Sequence, residues 1–164
     1  MNFMFTVLRV VVGGLFVGHG LQKLAGWFNG PGLDATAQGF DSMGLKPGKA
    51  TAIAAGLSET GGGALLAAGV ATPLAGAALV GTMTQAIRTV HGPKGPWNAD
   101  GGWEYNAVLI AVILAIVERG PGSLSINEAA DREASGAAWA LAALAAGVAG
   151  PPLLQAALAS FADD

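Results

Sequence analysis

The side chains able to do chemistry in this chain sit at the ends or in the middle of apolar runs. His19, Gln22 and Lys23 close the first run, and Arg9 lies inside it. Glu59 stands in the middle of a second run, beside Ser58, Thr60 and a string of glycines. Gln85, Arg88 and His91 close a third, and Trp103 and Glu104 open a fourth. Such groups are scarce in hydrocarbon, where a charge costs at least about 2.5–3.5 kcal/mol on insertion scales. They are expected to face one another in a polar site between helices. Lys23 and Arg88 would supply positive charge for an anionic or quinone-like head group, with Glu104 balancing it. His19 could move a proton near neutral pH. At 100° per residue, Arg9, Gly13, Phe16, Gly20 and Lys23 share a face. So do Thr82, Gln85 and Thr89.

A rise of 1.5 Å per residue places Arg9 about 9 Å and Glu59 about 16 Å from the same edge if their helices run antiparallel. An Arg side chain spans the difference, so Arg9 and Glu59 are expected to form a structural intramembrane pair, with Glu118 as the competing partner. A carboxylate buried in an apolar helix has to be paired or carry a proton.

The elements that position these groups follow from composition. Only 12% of the 164 residues are charged, against about 25% in a soluble domain. Most of the surface therefore faces something other than water. The mean hydropathy is +0.53, and many of the 26 glycines fall inside the apolar runs, as in tightly packed transmembrane helices. Small-xxx-small pairs recur at Gly14/Gly18, Ala52/Gly56 and Ala77/Gly81. The net charge of −3 and the lack of a basic run give no reason to expect a nucleic-acid partner. With no cysteine, disulfides, thiolate metal sites and CxxC redox chemistry are excluded. Two histidines are too few to point to a metal site. No Lys or Arg precedes the first run and no A-x-A site follows it, so it reads as a retained helix rather than a cleaved signal.

The predicted fold is all-α: a polytopic transmembrane four-helix bundle with helices at about 3–23, 50–70, 73–90 and 103–118. A short interfacial helix is expected over 34–43 with Asp34 as N-cap. Trp27 and Phe28 mark a membrane–water boundary. Gly150-Pro151-Pro152 breaks the apolar run 134–161, which is expected to be a fifth membrane-associated segment, spanning, bent or interfacial. The chain divides into a bundle over 1–126 and a polar connector plus Ala-rich apolar segment over 127–164. Lys and Arg are commoner in the loops after helices 1 and 3, which places those loops in the cytoplasm.

The ordered series His19-Gly20-Leu21-Gln22-Lys23-Leu24, Ala55-Gly56-Leu57-Ser58-Glu59-Thr60-Gly61-Gly62, Gly69-Val70-Ala71-Thr72-Pro73 and Trp103-Glu104-Tyr105-Asn106, together with Leu8-Arg9, resembles the DoxX family of small bacterial membrane proteins (DoxX/DoxD-like). The resemblance runs over about 3–126 and does not explain the segment from 134. It implies a multi-pass plasma-membrane protein built on four helices. Some relatives are associated with membrane redox systems, including a quinone-linked thiosulfate-oxidising enzyme, and with oxidative-stress assemblies. It therefore implies a membrane subunit of such an assembly, with quinone as the cofactor class, a membrane redox protein as partner and room for homo-oligomers. It transfers no catalytic residue. A small-solute or proton-coupled carrier using Glu59, and a non-catalytic membrane scaffold, are the alternative readings.

Overall fold

A computed structural model describes residues 3–122, 124–129 and 134–162. Every regular element among them is helical: α1 (Phe3–Ala25), α2 (Gly32–Ser42), α3 (Gly48–Ala68), α4 (Thr72–Ala86), α5 (Glu104–Arg119), the single turn α6 (Ile126–Ala129) and α7 (Ala137–Ala162). A tight turn joins α3 to α4, and longer connections join the rest; the pairings Gly13–Gly63 and Gly20–Gly56, and Gly76–Val117 and Met83–Asn106, show that α1 and α3, and α4 and α5, run antiparallel. The ends of α1, α4 and α7 and the starts of α3 and α5 therefore lie at one end of the molecule.

Glycine decides how α1 and α3 meet. A Cβ on Gly13 would come within 2.5 Å of the Gly63 carbonyl, and one on Gly63 within 2.5 Å of the Gly13 carbonyl. One on Gly20 would collide with the Gly56 carbonyl and Thr60. The two backbones thus touch over two turns, the approach that small residues permit in membrane helices. Within α1 the expected Gly14/Gly18 pair takes no part: both face open space. Helix phase explains this. Gly13 and Gly20 are seven residues apart and share the face that buries Val12 and Phe16, while Gly14 sits 100° further round.

α3 ends in a left-handed residue, Gly69 (φ 68°). Val70 donates to the Leu65 carbonyl at 2.9 Å and Gly69 to Leu66 at 3.1 Å, satisfying carbonyls that the helix end would orphan. Pro73 then fits the first turn of α4, where its missing N–H costs nothing. α4 ends one turn earlier than periodicity predicts. It widens into a π-type turn over Ile87–His91, with the Gly92 N–H reaching the Ile87 carbonyl.

The core is Val12, Phe16, Leu66, Ala75, Leu79, Val80, Ile113 and Ile116. It fills the half of the bundle nearest the start of α1. Many large apolar side chains are exposed instead, among them Val11, Leu57, Leu74, Val108, Leu141 and Leu153. An apolar exterior around a core of small and branched residues suits a lipid-facing bundle.

Among the described residues two helices, Phe3–Ala25 and the Ala137–Ser160 part of α7, are long and apolar enough to cross a bilayer by length and composition. α4 and α5, of 15 and 16 residues, fall short of the roughly 20 that a span needs. α2 begins at Gly32 behind Pro31, so Asp34 lies in its first turn instead of capping it.

α7 is continuous through Pro151 and Pro152. Each proline lacks the N–H that would serve the carbonyl four residues earlier. The two freed carbonyls, of Gly147 and Val148, are taken up from outside the helix. Thr84 Oγ1 donates to Gly147 O at 2.9 Å and Arg88 Nη2 to Val148 O at 2.8 Å. The break read from sequence is thus repaired by α4 and the turn that follows it.

Gly13→Ala should lower stability by about 1–3 kcal/mol through overpacking. Gly14→Ala should leave it unchanged or raise it by up to about 1 kcal/mol through helix propensity. Thermal unfolding in one detergent measures both, and equal responses would rule out the Gly13–Gly63 contact as the determinant.

Candidate functional site

Glu59 lies in the middle of α3 with 6% of its side chain exposed, and it takes Lys23 as its partner. Lys23 Nζ donates to Glu59 Oε2 at 2.6 Å. The expected Arg9–Glu59 pair does not form. Helical side chains lean toward the N-terminus of their own helix. Lys23 therefore reaches back down α1 toward the level of Glu59, whereas Arg9 leans away from it toward the start of the chain.

Arg9 is itself buried, 2% exposed, but its partners are backbone carbonyls. Nη1 donates to Pro121 O and Nη2 to Leu124 O, both at 2.7 Å. A Cβ at position 69 would collide with its guanidinium. Arg9 thus ties the start of α1 to the segment after α5 and packs against the turn after α3. Glu118 is not its partner either. The backbone carbonyl of Glu118 instead accepts from Gly136 N at 2.8 Å, at the start of α7.

The half of the bundle that the core leaves open holds a cavity of about 650 Å³. Val12, Phe16, Leu109 and the small residues Ala54, Ala55 and Ala78 wall it. Polar groups enter from several helices and the turn beyond α4, among them His19 and Lys23 from α1, Ser58 and Glu59 from α3, Gln85 from α4, and Thr89 and His91 from the turn. Of the residues nominated from sequence, His19, Lys23, Gln85 and Glu59 come together here.

Gln22, Arg88, Trp103 and Glu104 do not line it, and most have visible local work. Gln22 Oε1 lies 3.1 Å from His19 Nδ1, and its amide nitrogen donates to Phe28 O at 3.4 Å. Arg88 serves the carbonyl that Pro152 frees. Glu104 Oε1 accepts the Asn98 N–H at 2.8 Å and holds the loop before α5. Trp103 is exposed at the entry to α5. His91 Nδ1 lies 2.7 Å from Gly101 O, which fixes the ring at the cavity edge.

Sequence reasoning missed Thr51, Asn106 and Gln155, which also line the cavity. Asn106 carried a signal: it shares a helical face with the buried Ile113 and Val117. A polar residue on such a face points into the interior. Gln155 had no equivalent signal, because its partner Thr51 is 104 residues away.

Chemically, the site offers one ammonium–carboxylate pair, amide and hydroxyl groups and two imidazoles around an apolar volume. Lys23 has three N–H donors and spends one on Glu59, which leaves two for a ligand acceptor. Among the described residues no three His, Asp or Glu side chains converge in a way that could hold a metal ion.

The fold and the site together define an all-helical protein of membrane type with a polar-edged interior cavity. The family model for DoxX matches residues 4–92, more than half of the chain, and the chain belongs to the DoxX family. No curated protein and no solved structure matches it.

Removing one member of the Lys23–Glu59 pair should cost more than removing both. Lys23→Met leaves a buried carboxylate alone and should destabilise by about 2 kcal/mol, between the ranges for exposed and buried pairs. Lys23→Met with Glu59→Leu should recover much of that loss. Additive losses in a double-mutant cycle would show that the pair is not coupled.

Arg88→Met should loosen α7 by about 1.5–3 kcal/mol, the worth of a hydrogen bond from a charged donor. Hydrogen exchange across α7 would report it; unchanged protection would mean that the Val148 carbonyl needs no partner.

Proposed function

We propose that this protein is a multi-pass plasma-membrane bundle whose cavity binds the head group of a quinone-class ligand, as the membrane subunit of a redox or oxidative-stress assembly. The observation that carries this reading is the cavity with the Lys23–Glu59 pair on its wall. A volume of about 650 Å³ falls inside the usual range of roughly 300–1,000 Å³ for small-molecule sites, which are mostly apolar with a few placed polar groups. A quinone matches that pattern: a flat apolar ring with two carbonyl acceptors. Lys23 supplies a donor to one carbonyl, and His19 and Gln85 offer hydrogen bonds elsewhere on the wall. Electrons would come from a partner protein in the membrane.

Four spans are part of the same proposal. α3 has the 21 residues needed. α4 with its π-type turn reaches from Thr72 to His91. Positive charge in the loops after α1 and α4 supports placing those loops in the cytoplasm.

Protein purified in mild detergent should retain quinone, seen by native mass spectrometry. Lys23→Met/Glu59→Leu should weaken quinone binding about ten-fold, as loss of one charge-assisted hydrogen bond implies. If wild-type protein and the double variant bind quinone equally, the site is elsewhere. Glu59-dependent uptake into proteoliposomes without quinone binding would replace this reading with a carrier. A co-purifying partner with neither property would replace it with a scaffold.

A further inference from the structure

The C-terminal helix lies beyond the stretch matched by the family model, yet it forms one side of the cavity through Gly150, Pro151, Leu154 and Gln155. Leu154 lines the cavity and is also 42% exposed on the apolar exterior. A side chain present on both surfaces marks a place where cavity and exterior run together.

The borders of this opening are small. Ala54 and Ala55 of α3 face the cavity, as does Gly150 of α7. A Cβ on Gly150 would meet nothing within 4 Å. The polar tie across the seam is Gln155 Nε2 donating to Thr51 Oγ1 at 2.8 Å. Pro151 and Pro152 lie just before this tie, and the carbonyls they free, of Gly147 and Val148, are held by Thr84 and Arg88 on the side of α4.

We infer that the cavity opens sideways to the bilayer between α3 and the second half of α7, and that its ligand is an amphiphile whose hydrocarbon tail leaves through this gap. The inference rests on the binding of a polar head group at Lys23 and Glu59 proposed above. A water-soluble solute would need a polar route, and this side offers apolar walls with one amide–hydroxyl pair. A tail passing Leu154 exchanges lipid contacts for protein contacts and stays out of water. The ligand therefore arrives by diffusion in the membrane, and Gln155 borders its path. A quinone and a phospholipid both have this chemistry.

The test compares two probes in lipid nanodiscs: a dimethoxy-methyl-benzoquinone head group alone, and the same head group with a decyl tail. Affinities are referred to the probe concentration within the lipid, so simple partitioning cancels. The tail should strengthen binding several-fold. Gly150→Leu should erase that gain and leave head-group binding intact, whereas Gly14→Leu, on the far face of α1, should change neither. Leu154→Trp provides the same block at the outer edge of the gap if Gly150→Leu fails to fold.

A head group that binds while the tail adds nothing overturns the side opening and spares the head-group site. Equal weakening of both probes by Gly150→Leu overturns it as well. Failure of both probes removes both readings. Native mass spectrometry separates the two sources: a co-purified phospholipid lost in Gly150→Leu supports the opening with lipid as its occupant, and a quinone lost in the same way supports it with quinone.

Discussion

A carboxyl group in the middle of an apolar helix, held by a single lysine, is the constraint that organises this molecule. Glu59 is almost fully enclosed, and enclosure without a partner would be costly. Lys23 meets that need only because α1 and α3 lie close enough for a side chain from one to reach the other. The closeness comes from Gly13, Gly20, Gly56 and Gly63, whose missing side chains let the backbones approach. Glycine contact and ion pair are therefore linked: the first sets the distance, and the second sets which residues stand opposite each other.

The remaining ties follow a second rule, that carbonyls without helical partners must find other donors. Arg9 serves the chain after α5, and Thr84 and Arg88 serve the proline break in α7. Arg88, which looks like a ligand-binding group in sequence, and Arg9, which looks like the partner of Glu59, are thus both bonded to backbone. Their fixed positions keep the start of α1 and the middle of α7 in place, and so hold two walls of the cavity. The packed core occupies one half of the bundle, and the polar-edged cavity the other. Branched and aromatic side chains fill the first half, while Ala and Gly leave space in the second.

Several elements were legible in the sequence because their cause is local. The apolar runs gave α1, α3 and α5 to within a few residues. Gly69-Val70-Ala71-Thr72-Pro73 announced a helix stop and a new start. Other elements depend on contacts between distant segments. The continuity of α7 through two prolines needs donors some 60 residues away. Asp34 is a good capping residue by type, but Pro31-Gly32 sets the start of α2 earlier.

The sequence by itself determined the helical class, the membrane character and the short list of polar residues, because composition and period act through local burial and backbone preference. Tertiary structure decided which of those residues meet. Helix phase turned Gly14 outward and Gly13 inward. Side-chain lean carried Lys23 to Glu59 and Arg9 away from it. The pair that a depth estimate assigns to Arg9 belongs to Lys23, since depth along a helix axis gives the level of a Cα, and the direction of the side chain decides where its charge lies.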